Sequence, residues 1–358
     1  MSERSDSETI REEKTLSKGL GWKIALPVAL GLGVVAWLFY DDFKPEVWRS
    51  IRWDAHVFVG LALALLFVAG RDYGITWRFR VLTDRGLSWR ACLRVCMLCE
   101  FTSAITPSAV GGSALGMIYL NREGVPFGRA TTLMMTTILL DELFFTLLCP
   151  LVVLAVSNSA LFGFSDGGFT IGLRAAFWII YGVIVAWTAL LFLGIIVAPE
   201  SVRRALNALF RLRWLRRWHE GVARTADNMV ETSRELRGRG PLWWGRAFAA
   251  TAVSWCSRFL VVNMLFWAFV PAASQIAVFG RQFVVWVILM VTPTPGGAGV
   301  SEWLFTEYYG DLIGSAALAL VIALMWRLLS YYIYLVVGAV ILPSWLRKGF
   351  GGQRHKMK

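Results

Sequence analysis

Six ionisable side chains lie inside otherwise apolar stretches of the sequence: Glu100, Asp141, Glu142, Arg258, Glu302 and Arg327. An Asp or Arg at the centre of a membrane helix costs about 2.5–3.5 kcal/mol, so such groups face the protein interior and meet partners, water or ligand there. Two roles are open for them. In the first, Arg258 and Arg327 bind a headgroup phosphate, and Asp141, Glu142 and Glu302 take a cationic group or a coupling proton. In the second, they form structural ion pairs, for example Arg327 with Glu302.

Two short motifs interrupt the apolar stretches that carry these charges. Residues 106–112 read TPSAVGG and residues 292–297 read TPTPGG. The apolar segment Ala91–Ile105, before the first motif, is too short to span a membrane. A helix of that length covers about 22 Å, against about 30 Å of hydrocarbon core. The piece after that motif, Ser113–Leu120, is shorter still. Together the two pieces are typical of a re-entrant helical hairpin.

The second motif has the same setting. It follows the apolar segment Ile276–Val291 and precedes Val300–Tyr309.

Breaking a helix frees backbone N–H and C=O groups, which survive at membrane depth only where they line a cavity or pack against protein. Glycine lets the backbone approach a ligand closely, and the helix that begins after each turn presents its positive end. The natural guest is an anionic group such as a lipid phosphate. The candidate binding residues at the two tips are Thr106, Pro107, Gly111, Gly112, Pro293, Pro295, Gly296 and Gly297, with Glu100 on the first hairpin.

Spacing and charge indicate that the two motifs are copies. To within one residue, Asp141 follows Gly112 at the same spacing as Arg327 follows Gly297. The first hairpin lies between basic segments and should open to the cytoplasm. The second should open to the outside, because the last span must return to a basic tail. Hairpins that enter from opposite faces are the inverted-topology signature of transporters. The alternative is that the Gly and Pro residues merely kink ordinary helices.

Composition supports an all-α polytopic membrane protein. The 358 residues are 57% hydrophobic and 17% charged, and the 18 Trp residues suit interfacial belts. We predict about six full spans plus the two re-entrant hairpins. The spans are expected at 24–40, 57–71, 130–156, 171–198, 247–271 and 312–342. The net charge of +12 does not indicate nucleic acid, because the arginines flank apolar spans.

The distribution of basic residues predicts the domain organisation. Residues 1–20 form a polar cytoplasmic tail, 21–345 a transmembrane domain, and 346–358 a basic cytoplasmic tail. Within the domain, the arginine-dense stretch Arg71–Arg94 should be cytoplasmic. Residues 199–246 carry eleven arginines and should form an amphipathic helical hairpin on the cytoplasmic membrane surface. We expect a multi-pass protein of the bacterial inner membrane with both termini inside.

The sequence gives little support for catalysis or for a cofactor. Cys92, Cys96 and Cys99 fall roughly on one helix face, which suits small packable residues better than a metal site without a neighbouring His. The sequence contains no phosphate-binding Gly-x-x-x-x-Gly-Lys loop and no Gly-x-Ser-x-Gly elbow. We therefore expect no enzyme activity, no metal and no cofactor.

The motifs resemble a known family. PTPGGAGVSE at 293–302, followed by Arg327, is similar to the second signature of the lysylphosphatidylglycerol synthase transmembrane-region family. This is the flippase-like membrane domain of the multiple peptide resistance factor. Pro107 with Gly111-Gly112, then Leu140-Asp141-Glu142, is similar to its first signature. The resemblance covers about residues 24–345. Relatives often have an acidic residue after the first glycine pair and a Glu-Arg pair in the following span. Here those places hold Ser113 and Asp141-Glu142.

The resemblance implies lipid translocation. Full-length synthases add a soluble aminoacyl-transfer domain after the membrane part, and since this chain ends at Lys358 that activity is expected to be absent. Stand-alone relatives are linked to hopanoid, polyprenyl-phosphate or glycolipid pathways, so the lipid stays open. The leading hypothesis is a flippase-like transporter of a phospholipid or isoprenoid-linked lipid. One alternative is a non-transporting scaffold that presents lipid to a partner enzyme through loop 199–246. A homo-oligomer is also compatible with the sequence, and a membrane-embedded transferase is the third hypothesis.

Overall fold

The computed structural model describes residues 53–106, 110–163, 167–211, 219–294 and 296–351. The predicted span at 24–40 and both predicted tails, except for residues 346–351, lie outside them. The elements of the described residues are helices: α1 Ala55–Leu82, α2 Trp89–Ile105, α3 Val110–Arg122, α4 Phe127–Ala155, α5 Asn158–Phe162, α6 Gly168–Phe192, α7 Pro199–Leu209, α8 His219–Leu236, α9 Pro241–Phe269, α10 Gln275–Leu289, α11 Val300–Ile313, α12 Ala316–Arg327 and α13 Ile333–Gly351. π-helical turns, Leu193–Val197 and Leu328–Tyr332, continue α6 and α12.

Among the described residues, five helical segments are long and apolar enough to cross a bilayer: Ala55–Leu82, Phe127–Ala155, Gly168–Val197, Pro241–Phe269 and Ala316–Leu342. Each has 27 to 30 residues, which covers at least about 40 Å of helix. The prediction of an all-α multi-pass membrane protein is confirmed. The predicted span 57–71 was too short, because its helix continues past Arg71 to Leu82.

Four apolar helices that are too short to cross a bilayer form two hairpins in the described part of the chain. The first hairpin consists of α2 and α3 with Glu123, and the second consists of α10 and α11. The legs have 17, 13, 15 and 14 residues, fewer than the roughly 20 that a span requires. Ser88 and Ser274 start the first leg of each hairpin by accepting a hydrogen bond from the backbone N–H of Ala91 and Ala277, a normal N-terminal cap.

The helices fall into two blocks of the same plan. The starts of α1 and α9 are Ala55 and Pro241, and the starts of α2 and α10 are Trp89 and Gln275, so the same offset along the chain separates both pairs. In each block a long helix is followed by a hairpin and then by a second long helix. The common order and spacing agree with the two-copy organisation predicted from the motifs.

The two blocks join through α1 and α9, which pack antiparallel. Gly60 lies against Ala268, and Gly74 lies against Ser254 and Ala250. As the residue numbers increase along α1, the numbers of the contacting residues on α9 decrease, so the two helices run in opposite directions. The approach is close: a Cβ at Gly60 would stand 2.6 Å from the Cβ of Ala268, and a Cβ at Gly74 2.6 Å from the backbone nitrogen of Ser254. Small residues at such contacts let membrane helices pack backbone to backbone.

The basic loop contains the predicted helical hairpin, α7 and α8. It is not simply laid on a surface, because α8 packs against α4 and the π-helical turn that follows α6. Leu236 joins a core cluster with Leu139, Leu191 and Ile195. After α8, Arg239 donates to both carboxylate oxygens of Asp84, at 2.8 and 2.7 Å, which ties the hairpin to the turn after α1.

Candidate functional site

Arg327 and Glu302 form a buried ion pair in the second block. Arg327 Nε lies 2.7 Å from Glu302 Oε1. The other carboxylate oxygen, Oε2, accepts from the backbone N–H of Gly299 at 2.8 Å and from the Ser301 hydroxyl at 2.9 Å. Glu302 therefore caps the start of α11 and anchors Arg327 at the same time. The ion pair that the sequence offered as the structural role of these residues is present.

Arg327 also reaches the tip of the second hairpin. Its Nη1 donates to the carbonyl of Gly296 at 3.0 Å, and its guanidinium lies 4.0 Å from the centre of the Tyr331 ring. Its Nη2 is buried without a hydrogen-bond partner among the described residues. The π-helical turn Leu328–Tyr332 begins directly after Arg327, and such turns are frequent at functional sites.

The tip of the second hairpin requires glycine. Gly296, Gly297 and Gly299 have φ of +55°, +73° and +83°, a region that other residues rarely adopt. A Cβ at Gly296 would stand 2.2 Å from the Tyr331 ring. Pro293, before this turn, is exposed, and Pro295 lies outside the described residues.

The two hairpins meet at this tip. An added Cβ at Gly296 would lie 3.3 Å from the carbonyl oxygen of Ala104, near the end of α2. The hydroxyl of Tyr331 donates to that carbonyl at 3.2 Å. The structure therefore brings the end of the first leg of one hairpin beside the turn of the other.

At the first tip, Thr106 ends α2 and its hydroxyl donates to the carbonyl of Thr102 at 2.6 Å. Pro107 lies outside the described residues. Gly111 and Gly112 lie in the first turn of α3. Gly112 faces α2: a Cβ there would stand 2.9 Å from the carbonyl oxygen of Cys99. In this structure Gly112 serves the close packing of the two legs.

Glu100, on α2, binds two arginines. Arg258 donates from Nη2 to Glu100 Oε1 at 3.1 Å, and Arg71 forms an ion pair with Oε2. The Arg258 guanidinium lies between the rings of Trp255 and Trp286, at 4.8 and 4.7 Å from their centres. Cation–π contacts of this kind stabilise a desolvated arginine. Glu100 thus links α2 with both of the antiparallel helices, α1 and α9.

Arg71 begins the stretch Arg71–Arg94, which was predicted to be cytoplasmic, but it is buried inside the protein. Arg71 is 2% exposed and stacks on the Tyr334 ring at 4.2 Å. Tyr334 in turn donates to Asp72 at 2.7 Å. Sequence reasoning missed these three residues because it read the first charge after the apolar run as the end of the span. The repeat carries a signal that could have found them, since Asp72 precedes Arg258 by the same offset that separates the two blocks.

The adjacent carboxylates Asp141 and Glu142, on α4, have different surroundings. Asp141 forms an ion pair with Arg78, a second residue of the stretch Arg71–Arg94 that is buried inside the protein. It also accepts from the indole N–H of Trp255 at 2.7 Å. The Oε2 of Glu142 is buried without a hydrogen-bond partner among the described residues. Asp141 is therefore fixed in a network, whereas Glu142 is available to water, a proton or a ligand.

The buried arginines have more N–H donors than these carboxylates use. Within the described chain, the Nε groups of Arg71, Arg78 and Arg258 are buried without a hydrogen-bond partner, as is the Nη2 of Arg327. A guanidinium has five N–H donors in a planar fork that suits phosphate and carboxylate oxygens. The site can therefore accept further oxygen ligands. Among the described residues, His, Cys, Asp and Glu form no group of three or more that could hold a metal.

Comparison with known proteins identifies the family. The family described as lysylphosphatidylglycerol synthase TM region matches residues 24–338. The chain belongs to this family. A UPF0104 membrane protein of Archaeoglobus fulgidus is 23% identical over 328 residues, which cover 87% of this chain and 94% of that protein. No solved structure matches the chain. The family match confirms the resemblance predicted from the two signatures and places the chain among lipid-related membrane proteins.

Proposed function

We propose that the protein moves an anionic lipid across the membrane, with the headgroup held between the hairpin tips and the acyl or isoprenoid chains left in the bilayer. The observation that carries this proposal is a pair of arginines that contact the hairpins and have buried, unused N–H donors: Arg327 at the Gly296 turn, and Arg258, which contacts Glu100 of the first hairpin and Trp286 of the second. Burying such donors without acceptors is costly, and lipid phosphate oxygens would satisfy them with charge-assisted hydrogen bonds.

The placement of the hairpins supports a route from one face to the other. The base of the first hairpin, at Glu123, lies four residues before the start of α4. The base of the second lies beside the opposite end of α4, since Arg281 donates from Nε to the carbonyl of Ala160 at 2.8 Å. A helix of 29 residues separates these ends. This arrangement fits two re-entrant hairpins in an inverted-topology repeat, the architecture of alternating-access transporters.

Basic residues orient the proposed transporter. The turn at Asp84 precedes the first hairpin, and Arg129 and Arg239, the latter just after the end of α8, meet there on Asp84. By the positive-inside rule, this end faces the cytoplasm of the inner membrane. The first hairpin then opens inward and the second outward. We further propose that the domain performs no covalent chemistry on the lipid.

The experiment is lipid translocation by the purified protein in liposomes. A fluorescent phosphatidylglycerol and a fluorescent phosphatidylcholine, each labelled on an acyl chain, are followed by their accessibility to an external quencher. We expect faster loss of phosphatidylglycerol fluorescence than in protein-free liposomes, a slower response of phosphatidylcholine, and little movement with the E302Q/R327M variant. Mass spectrometry of the extracted lipid should show it unmodified. Rates equal to those of protein-free liposomes would contradict transport and favour the scaffold.

A further inference from the structure

Each hairpin carries one bidentate arginine–carboxylate pair that joins its two legs. In the first, Arg94 of α2 donates from Nε and Nη2 to the two oxygens of Glu123, at 2.6 and 2.7 Å. In the second, Arg281 of α10 donates from Nη2 to Asp311 Oδ2 of α11 at 2.7 Å and from Nη1 to Oδ1. We name these the first clasp and the second clasp.

The clasps occupy matching places in the two blocks. Their partners are 29 and 30 residues apart. The number of residues that separates Arg94 from Arg281 differs by one from the number that separates the starts of α2 and α10. Arg94 and Arg281 precede Thr106 and Thr292, where the turns begin, by about three helical turns. At 1.5 Å per residue, each clasp is about 16–18 Å from its tip.

We propose that the two clasps are matched positioning pairs that fix the separation of the legs at the base of each hairpin, so that each tip is presented as part of a rigid unit. A helix of 13 to 17 residues is too short to cross the bilayer alone, so each leg depends on its partner for its place in the membrane. A planar guanidinium with a carboxylate fixes distance and direction together. The clasps lie far from the proposed headgroup, so they act on hairpin position and not on contact with lipid.

The second clasp is the stronger one. Arg281 is 0% exposed, and besides Asp311 it donates to the carbonyls of Ala160 and Tyr308. The side chain of Arg94 is 35% exposed, and Glu123, which is 11% exposed, is its one ion-pair partner among the described residues. Each clasp has one largely buried and one part-exposed member, since Asp311 is 32% exposed, so the difference between them is the two carbonyl acceptors that hold Arg281 in addition. The first hairpin is therefore the one whose legs separate more easily.

The test is hydrogen–deuterium exchange of the full-length protein in nanodiscs, resolved over α3. R94E and E123R each place like charges together and should raise exchange of α3 amides roughly tenfold. The double variant R94E/E123R restores an opposite-charge pair and should return exchange close to the wild-type rate. Arg90, exposed on the same helix and without an ion pair in the described part of the chain, supplies the control variant R90E. R94Q is the milder substitute if R94E does not fold.

The second clasp is tested in the same way with D311N, using E307Q on the same helix as the control. Glu307 is exposed and has no ion pair among the described residues. We expect faster exchange over α11 in D311N only. Unchanged α3 exchange in R94E and E123R, no recovery in the double variant, or equal effects of the control substitutions would overturn the proposal.

A second measurement, of lipid translocation, separates a role of the clasps in positioning the hairpins from a role in protein stability alone. This measurement rests on the proposed function. In the liposome assay, E123Q should lower the maximal translocation rate several-fold and leave the half-saturating lipid concentration unchanged, with R94K retaining more activity than R94Q. A shift in the half-saturating concentration alone would contradict a positioning role. If the wild-type protein moves no lipid, the proposed function fails, while the exchange measurements still decide the role of the clasps.

Discussion

Arg327 donates a hydrogen bond to the carbonyl of Gly296, which joins a charged residue of the last described span to the backbone of the second hairpin's tip. The same guanidinium pairs with Glu302, the residue that caps the helix after the tip. The tip is therefore held by a charge, and a ligand that competes for Arg327 would act directly on the position of the hairpin. Under the proposed function, ligand binding would be coupled to hairpin movement through this one side chain.

Removing one or both members of this pair should have different effects on stability. Arg327→Ala leaves the Glu302 carboxylate buried without its counter-ion, and we expect a loss of about 3–5 kcal/mol. The double variant E302Q/R327M removes both charges and retains an acceptor for the Gly299 N–H, so its thermal unfolding temperature in detergent should be close to that of the wild type. An equal loss of stability in both variants would contradict the pairing.

Asp141 and Glu142 offer a comparison of neighbouring carboxylates. Asp141→Asn weakens the contact that keeps Arg78 neutralised, and we expect a loss of about 2 kcal/mol. Glu142→Gln removes a carboxylate without an ion-pair partner in the described chain and should change stability by less than about 0.5 kcal/mol. The same thermal measurement on both variants checks this, and the reverse order of effects would contradict the assigned surroundings.

Gly296 should not tolerate a side chain. Gly296→Ala places a Cβ in a left-handed backbone conformation and against the Tyr331 ring, so we expect a loss of more than about 1 kcal/mol and loss of lipid movement. Gly310, in α11, has no atom within 4 Å of the position that a Cβ would occupy and is the matched control. Gly310→Ala should gain about 0.5–1 kcal/mol, because alanine is the better helix former. A G296A protein with wild-type stability would disprove the described turn.

The antiparallel contact of α1 and α9 makes a further prediction. Gly74→Leu inserts four carbon atoms where the backbone of Ser254 lies within 2.8 Å of the Cβ position, and it should destabilise the protein by about 1–3 kcal/mol or more. Gly182 on α6 has open space at its Cβ and supplies the control, Gly182→Leu. If thermal unfolding responds equally to both substitutions, the close packing of these two helices is wrong.

Much of the architecture followed from the sequence, because apolar length and the Gly and Pro residues determine where a membrane helix can run or stop. The broken segments, the hairpin motifs and the pairing of Arg327 with Glu302 could be predicted from the sequence in this way. The buried arginines Arg71 and Arg78 were not. A charge at the end of an apolar run usually marks the membrane surface, and only the packing of α1 against α9 and α4 shows that these two lie inside.

The partners of the interior charges could not be predicted either. Glu100 and Arg258 are 158 residues apart, and Asp141 and Trp255 114. No local spacing links such residues, since the contact depends on which helices become neighbours in the fold. The repeat reduces this difficulty, because the equivalence of Asp72 and Arg258 follows from a constant offset between the two blocks.

The central claim, that the buried arginines hold an anionic lipid headgroup, is tested most directly by native mass spectrometry of the protein released from nanodiscs of mixed phospholipids. The wild type is compared with E302Q/R327M, and Gly310→Ala serves as a fold-preserving control. We predict one anionic lipid class retained by the wild type and by G310A and lost from E302Q/R327M. Retention of the same bulk-like lipid mixture by all three proteins would contradict the claim and leave the interior charges as structural ion pairs.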